Sequence, residues 1–284
     1  MPDKPIHIDH TDGVTLVTMN DPPTRNALSS EMAVELFEEL DRFEADPAAR
    51  VLVLTGTDPS FCSGANVRRF GQVIDETEDA GATVGLPWGA MEARLATRDL
   101  ESGLAGFGSV SDLPLRINEV QKPTIAAVNG FAIGVGLGLA LSCDIRVASD
   151  RAEFAEAFVR MGLVPGDGSC WQLPRLIGLS NTFYMQYTGD RIDAAEAYRI
   201  NLVSKVHPHD EMMASVMELA VRLAHGATYS MSLTKYLVQK GMSTELKESL
   251  RLAQTAQEQA RRSEDHKEAV KAFLEKRKPE FKGR

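Results

Sequence analysis

An α/β fold built on a parallel sheet is predicted by three features: β-rich runs alternating with helical spacing, two strand-to-helix junctions made of small residues, and a helical C-terminal third. Thr15 to Met19 follows the Asp12-Gly13 turn and reads as a strand that Asn20-Asp21-Pro22-Pro23 ends. Ser29 or Ser30 then caps a helix with Met32, Leu36, Leu40 and Phe43 at three- or four-residue spacing, and Asp46-Pro47 stops it. Val51 to Gly56 reads as a buried strand. A second block repeats the logic: a strand from Pro123 to Val128, a glycine-spaced helix from Gly134 to Leu141, and a strand from Asp144 to Ala148.

Residues 71–118 differ, with six glycines from Gly81 to Gly108 and weak periodicity. An irregular connection of this length is expected to be a lid or binding loop that shapes a binding pocket. Beyond residue 175 the pattern is mainly helical, over Asp193–Asn201, Asp210–His225 and Ser243 to about Glu275. The division expected is a core over residues 1–200 and a helical segment over 201–284.

The chain has 284 residues, 43% hydrophobic and 25% charged, which fits one large globular domain rather than a disordered chain. No run approaches the roughly 18–20 apolar residues of a membrane span, and MPDKPIHIDH lacks the apolar core of a secretory signal. A cytoplasmic protein that binds no membrane is expected. A net charge of -9 argues against nucleic acid as a partner. Cys62, Cys143 and Cys170 show no metal spacing and read as reduced, mostly buried thiols, and no metal is expected.

Two junctions can carry chemistry. In Phe61-Cys62-Ser63-Gly64-Ala65-Asn66-Val67, small residues after a strand let the backbone approach a ligand, and its N–H groups can face an anion. Asn129 to Gly136 makes a second such junction. Two of them side by side could aim two N–H donors at one oxygen, as an oxyanion hole does. The ordinary alternative is glycine serving tight turns and close helix packing.

FCSGANV, NGFAIGVGLGLALSCDI and GLVPGDG, with PPTRNALSSEM upstream, together resemble the enoyl-CoA hydratase/isomerase (crotonase) family. The resemblance runs from about residue 6 to the C-terminal KRKPEFKG. It implies a crotonase-like spiral of ββα and βαβ turns, and a C-terminal helical segment used in trimerisation, giving a homotrimer or a hexamer of paired trimers. It also implies a coenzyme-A thioester substrate and no permanently bound cofactor. The two donors for the thioester oxygen then fall on Ala65 and Val135. Coenzyme-A contacts fall on Arg25, Ala27, Asn66, Val67 and Arg68, with a C-terminal lysine, Lys278 or Lys282, meeting a nucleotide phosphate. For those lysines the ordinary reading is a solvated helix end.

The family's hydratases use two glutamates, whose positions fall on Gly138 and Phe158 here. Neither can exchange a proton. Asp167, in Pro165-Gly166-Asp167-Gly168, is the best remaining acid or base. The alternative for it is a cap on the helix that begins at Ser169-Cys170-Trp171. Glu156 is the second candidate, against a surface or salt-bridge role. The resemblance therefore implies an enoyl-CoA hydratase-like lyase. The alternatives are another reaction of the family through Asp167 (double-bond isomerisation, thioester hydrolysis or C–C hydrolysis) and a non-catalytic acyl-CoA-binding protein. A dinucleotide site is disfavoured because Gly134, Gly136 and Gly138 miss the G-x-G-x-x-G spacing. A serine hydrolase is disfavoured because Ser63 has no elbow motif and no motif histidine.

Overall fold

The computed structural model describes residues 4–65 and 112–284. The chain opens with an antiparallel hairpin, β1 (Ile6–Thr11) and β2 (Val14–Met19). Helix α1 (Ser30–Ala45) follows, its first turn capped by Ser29 Oγ accepting from Met32 N–H. Next come β3 (Val51–Gly56), β4 (Ser60–Cys62), α2 (Leu113–Glu119), β5 (Thr124–Val128), β6 (Phe131–Ile133) and α3 (Val135–Ser142). Then β7 (Ile145–Ser149), β8 (Glu153–Ala155), a 3-10 turn (Ala157–Met161) and α4 (Ser169–Thr188) lead to β9 (Ile192–Asp193), α5 (Ala194–Arg199) and β10 (Lys205–His207). The C-terminal part is α6 (His209–Ala224), α7 (Thr228–Gly241), α8 (Leu246–Arg262) and α9 (Glu264–Leu274).

The strands form two sheets, ordered β1-β2-β3-β5-β7-β10 and β4-β6-β8-β9 among the described residues. From β2 to β10 the larger sheet is parallel. Strands β3 and β5 are buried at every position because both faces are covered. Along β3, Leu52 and Leu54 join the core shared with α1, whereas Val51 and Val53 face the opposite layer with Met212, Val216 and Ala220 of α6. Strand β5 divides its residues the same way, Ala126 and Val128 against Ile125 and Ala127. Since β10 and α6 complete this sheet and its outer layer, the packed core continues past residue 200.

The structure departs from the sequence reading in three places. The helix expected from Ser243 to about Glu275 is two, broken at Ser263, whose hydroxyl accepts from His266 N–H and caps α9. Helix α7 was not anticipated, nor were the three-residue strands of the smaller sheet. The irregular connection over 71–118 lies mostly outside the described residues, and its last part is α2. Cys62 and Cys143 are buried, whereas Cys170 is exposed. No helix among the described residues is long and apolar enough to cross a membrane.

Candidate active site

The site assembles where β4 and β6 end. The strands pair in parallel, Ser60 with Phe131 and Cys62 with Ala132, with a register irregularity between the two pairs. Ala65 and Val135 therefore each stand three residues beyond a paired position. Gly64 has a positive φ of 104°, and a Cβ there would lie 2.9 Å from the carbonyl oxygen of Ile133, so this close approach of backbones needs glycine. Leu28 N–H donates to Gly64 O at 2.8 Å in the bridge that pairs Leu28 with Ala65, a bond that does not use the Ala65 N–H. Val135 is the first residue of α3, where the N–H has no intrahelical acceptor and the helix dipole favours negative charge. The two predicted donors thus sit on adjoining junctions.

The segment before α1 is sewn along the first junction. Ser63 N–H donates to Arg25 O at 3.1 Å and Ser63 Oγ to Thr24 O at 2.8 Å. Asn26 Nδ2 reaches Thr57 O and Ser60 O, both at 2.7 Å. Ala27 is buried beside them. Arg25 is exposed, with its guanidinium 5.1 Å from the centre of the Phe131 ring. Asn66, Val67 and Arg68 lie outside the described residues.

Two carboxyl groups approach the same site. Asp167 is 1% exposed, and its Oδ1 accepts from Ser169 N–H at 3.1 Å and Ser169 Oγ at 2.7 Å. Its Oδ2 has no hydrogen-bond partner among the described residues. That oxygen lies 2.7 Å from where a Cβ on Gly138 would stand. The helix position that would carry one family glutamate is therefore bare, and a carboxylate from the following turn fills its space. Asp167 is not the N-cap considered for it, since that position of α4 is Gly168, although its Oδ1 accepts from the N–H of Ser169 at the start of the helix.

Glu156 overturns the surface or salt-bridge reading. It is 0% exposed and neither oxygen has a hydrogen-bond partner among the described residues. Burial, and then the charge of Asp167, push its carboxyl well above the usual range. Burial also raises Asp167, opposed by its bonds from Ser169. Phe158, at the second glutamate position, sets its ring 3.6 Å from where a Gly134 Cβ would be, an apolar wall beside the Val135 junction. Ser169 was missed in the sequence, although Asp-x-Ser before a helix is a recognisable local hydrogen-bonding pattern.

The sequence model described as enoyl-CoA hydratase/isomerase matches residues 9–85 and 101–284. The chain belongs to the enoyl-CoA hydratase/isomerase family. Over 278 residues it is 34% identical to a crotonyl-CoA hydratase of Syntrophomonas wolfei, covering 97% of each chain. It is 32% identical over 272 residues to a 1,2-epoxyphenylacetyl-CoA isomerase of Escherichia coli, covering 96% of each. A crystal structure of a putative enoyl-CoA hydratase/isomerase from Mycobacterium abscessus superposes with a TM-score of 0.85 at 30% identity, covering 98% of this chain and 100% of that one. The crotonase spiral expected from the motifs is thus the fold of this family member.

The C-terminal lysines stand elsewhere. Lys282 N–H donates to Asp265 Oδ1 at 2.6 Å and its Nζ pairs with Glu264 at 3.3 Å. This tail runs past Arg50, whose guanidinium donates to Phe281 O. Arg50 precedes β3, whereas Ala65 follows the far end of that strand and β4, so Lys282 lies at the opposite end of the sheet from Ala65. Lys278 belongs to the same tail.

Proposed function

We propose that the protein is an enoyl-CoA hydratase-like lyase acting on a coenzyme-A thioester. The N–H groups of Ala65 and Val135 hold the thioester oxygen, and Asp167 with Glu156 moves the proton. The observation that carries this reading is the unpartnered Asp167 Oδ2 in the space left by Gly138. Burial without a partner is costly for a carboxylate unless a ligand or function uses it. In the hydration, Asp167 takes a proton from water as its oxygen bonds to C3. The C2=C3 electron pair moves into the thioester as an enolate, protonated Glu156 then delivers a proton to C2, and the proton held by Asp167 passes to Glu156 before the next turnover. Negative charge builds on the thioester oxygen on the way to the enolate, so two preorganised donors stabilise the transition state more than the neutral ground state. Arg25, Ala27, Asn66, Val67 and Arg68 would line the path of coenzyme A. No permanent cofactor enters this chemistry, and the protein would work in the cytoplasm.

A second reading, proton shuttling between carbons in a double-bond isomerisation, is favoured by Phe158, whose apolar ring offers nothing to hold a water. Crotonyl-CoA hydration, followed as loss of the conjugated thioester's ultraviolet absorbance, tests the choice. Wild-type turnover that falls about 10²–10⁴-fold in Asp167→Asn supports hydration. Absent hydration with thioester binding intact and 3-enoyl-CoA consumed supports isomerisation. Binding without either reaction would leave a binding protein.

The assembly belongs to the same proposal. Lys278 and Lys282 would meet a nucleotide phosphate in a neighbouring subunit of a trimer or hexamer, since they lie far from their own donors. Exposed Leu246, Leu250, Phe273 and Leu274 on α8 and α9 give that neighbour an apolar surface to cover. Light scattering of a monomer only would overturn this part.

A further inference from the structure

Asp58 sits in the turn between β3 and β4, and its two oxygens have different partners. Oδ1 accepts from Asn129 Nδ2 at 2.8 Å and Oδ2 from His209 Nε2 at 3.0 Å. Asn129 opens the turn into β6, so one carboxylate ties together the entrances of the two strands that lead to Ala65 and Val135. His209, the first residue of α6, is itself held: its N–H donates to Asp150 Oδ1 at 3.0 Å and its Nδ1 lies 3.0 Å from Ser149 Oγ at the end of β7. The turns also touch directly, since a Cβ on Gly130 would collide with the carbonyl oxygen of Pro59.

Chain counting gives this tether a consequence. Ser60 and Phe131 pair, each two residues beyond the tether. After the irregularity the next pair is Cys62 with Ala132, four residues on one side and three on the other. The extra residue is what puts Ala65 level with Val135. A shift of one residue in a strand turns every following group to the other face.

Resting on the oxyanion-hole reading above, we infer that Asp58 is a positioning residue: by pinning the two turns it holds the register of β4 against β6 and so the spacing of the Ala65 and Val135 N–H groups. Its side chain is 61% exposed, so removing it cuts a tether without opening a core cavity.

The test uses the full-length protein with Asp58→Ala and Asp58→Asn. Asparagine can keep both contacts, its oxygen accepting from Asn129 and its amide donating to the other histidine tautomer. Displacing one donor is expected to lower kcat of Asp58→Ala for crotonyl-CoA about tenfold to a hundredfold, with KM nearly unchanged. Asp58→Asn should stay near wild type. The second readout is the infrared carbonyl band of butyryl-CoA labelled at the thioester carbon. Wild type should shift it to lower frequency, and Asp58→Ala should lose about half of that shift. A wild-type shift retained in full by Asp58→Ala, or a kcat loss that only follows a loss of folded protein, overturns the positioning role alone. No shift in wild type overturns the oxyanion reading and this inference with it.

Discussion

The Oδ2 atom of Asp167 lies 2.7 Å from the point that a Cβ on residue 138 would occupy, so the bare helix position and the buried carboxylate are two halves of one arrangement. Gly138 lies within α3, where alanine would ordinarily favour the helix by about 1 kcal/mol. Here the methyl group would meet Oδ2, Cβ and Cγ of Asp167, all under 3 Å, and overpacking of this kind costs about 1–3 kcal/mol. Gly138→Ala is therefore expected to lower the melting temperature against its helix propensity. It should also displace the carboxylate, reducing kcat about a hundredfold while acyl-CoA affinity is retained. Calorimetry and steady-state kinetics on the same variant check both halves. A stabilised, fully active Gly138→Ala would show that Asp167 moves aside freely and has no fixed role.

The buried pair also makes stability depend on pH. Burial raises both carboxyls, and Asp167 raises Glu156 further, so the folded chain holds more protons than the unfolded chain between the ordinary carboxylate range and the raised one. The contribution is fully present below the unfolded values and is lost as pH rises through the folded ones. Glu156→Gln removes the larger share of that loss. Its melting temperature should match wild type near about pH 4 and exceed it near about pH 8, where the wild-type chain has lost that contribution. Equal pH slopes for the two proteins would show that folding does not raise the Glu156 carboxyl.

Helix α3, which presents Val135 at its start, is finished at its other end by a buried arginine. Arg146 is 7% exposed and donates to Leu202 O at 2.8 Å, Cys143 O at 2.7 Å and Leu141 O at 3.4 Å. These carbonyls belong to the end of α3 and to the loop before β10, and a cation suits that end of the helix dipole. Arg146→Met fills much of the volume but leaves carbonyls without donors, at about 1–3 kcal/mol for each one left buried. Chemical denaturation is expected to show a loss of about 3 kcal/mol. A change within 0.5 kcal/mol, about the scatter of surface substitutions, would mean that water replaces the guanidinium.

Much of this was legible in the sequence, for reasons that differ by residue. The α/β alternation could be read because β3 and β5 bury both faces and so appear as unbroken apolar runs. The proposed donors Ala65 and Val135 were reached through the family resemblance of their motifs, and close backbone approach such as that at Gly64 admits few residue types, which leaves a motif to resemble. Strands β4, β6 and β8 are too short to show alternation, and their pairing depends on residues far apart in the chain. Glu156 was misjudged because a carboxylate buried without a partner has no local signature; only its neighbours in space distinguish it from a surface acid. The break at Ser263 was readable in principle, since serine followed by Glu264 and Asp265 is a helix start, but the surrounding run of charged helix formers hid it. The position of Lys282 follows from buried Asp265, which accepts from the N–H groups of Lys282 and Gly283, a contact no periodicity announces.

Deleting one donor atom while keeping the helix is the sharpest test of the oxyanion hole. Val135 stands at the first position of α3, where proline is tolerated because the N–H there has no intrahelical acceptor. Val135→Pro exchanges that N–H for a ring carbon and leaves Ala65 untouched. Gly134 before it, with φ 51° and ψ -123°, has the freedom to accept a following proline better than any residue with a Cβ. The variant should fold, with circular dichroism like wild type. Its kcat should fall about 10²–10³-fold, the worth of one preorganised donor. Val135→Ala, which keeps the N–H and trims the side chain, separates loss of the donor from loss of packing and should keep most of the activity. If both variants lose activity equally, the side chain matters and the N–H does not, and the oxyanion assignment at Val135 fails.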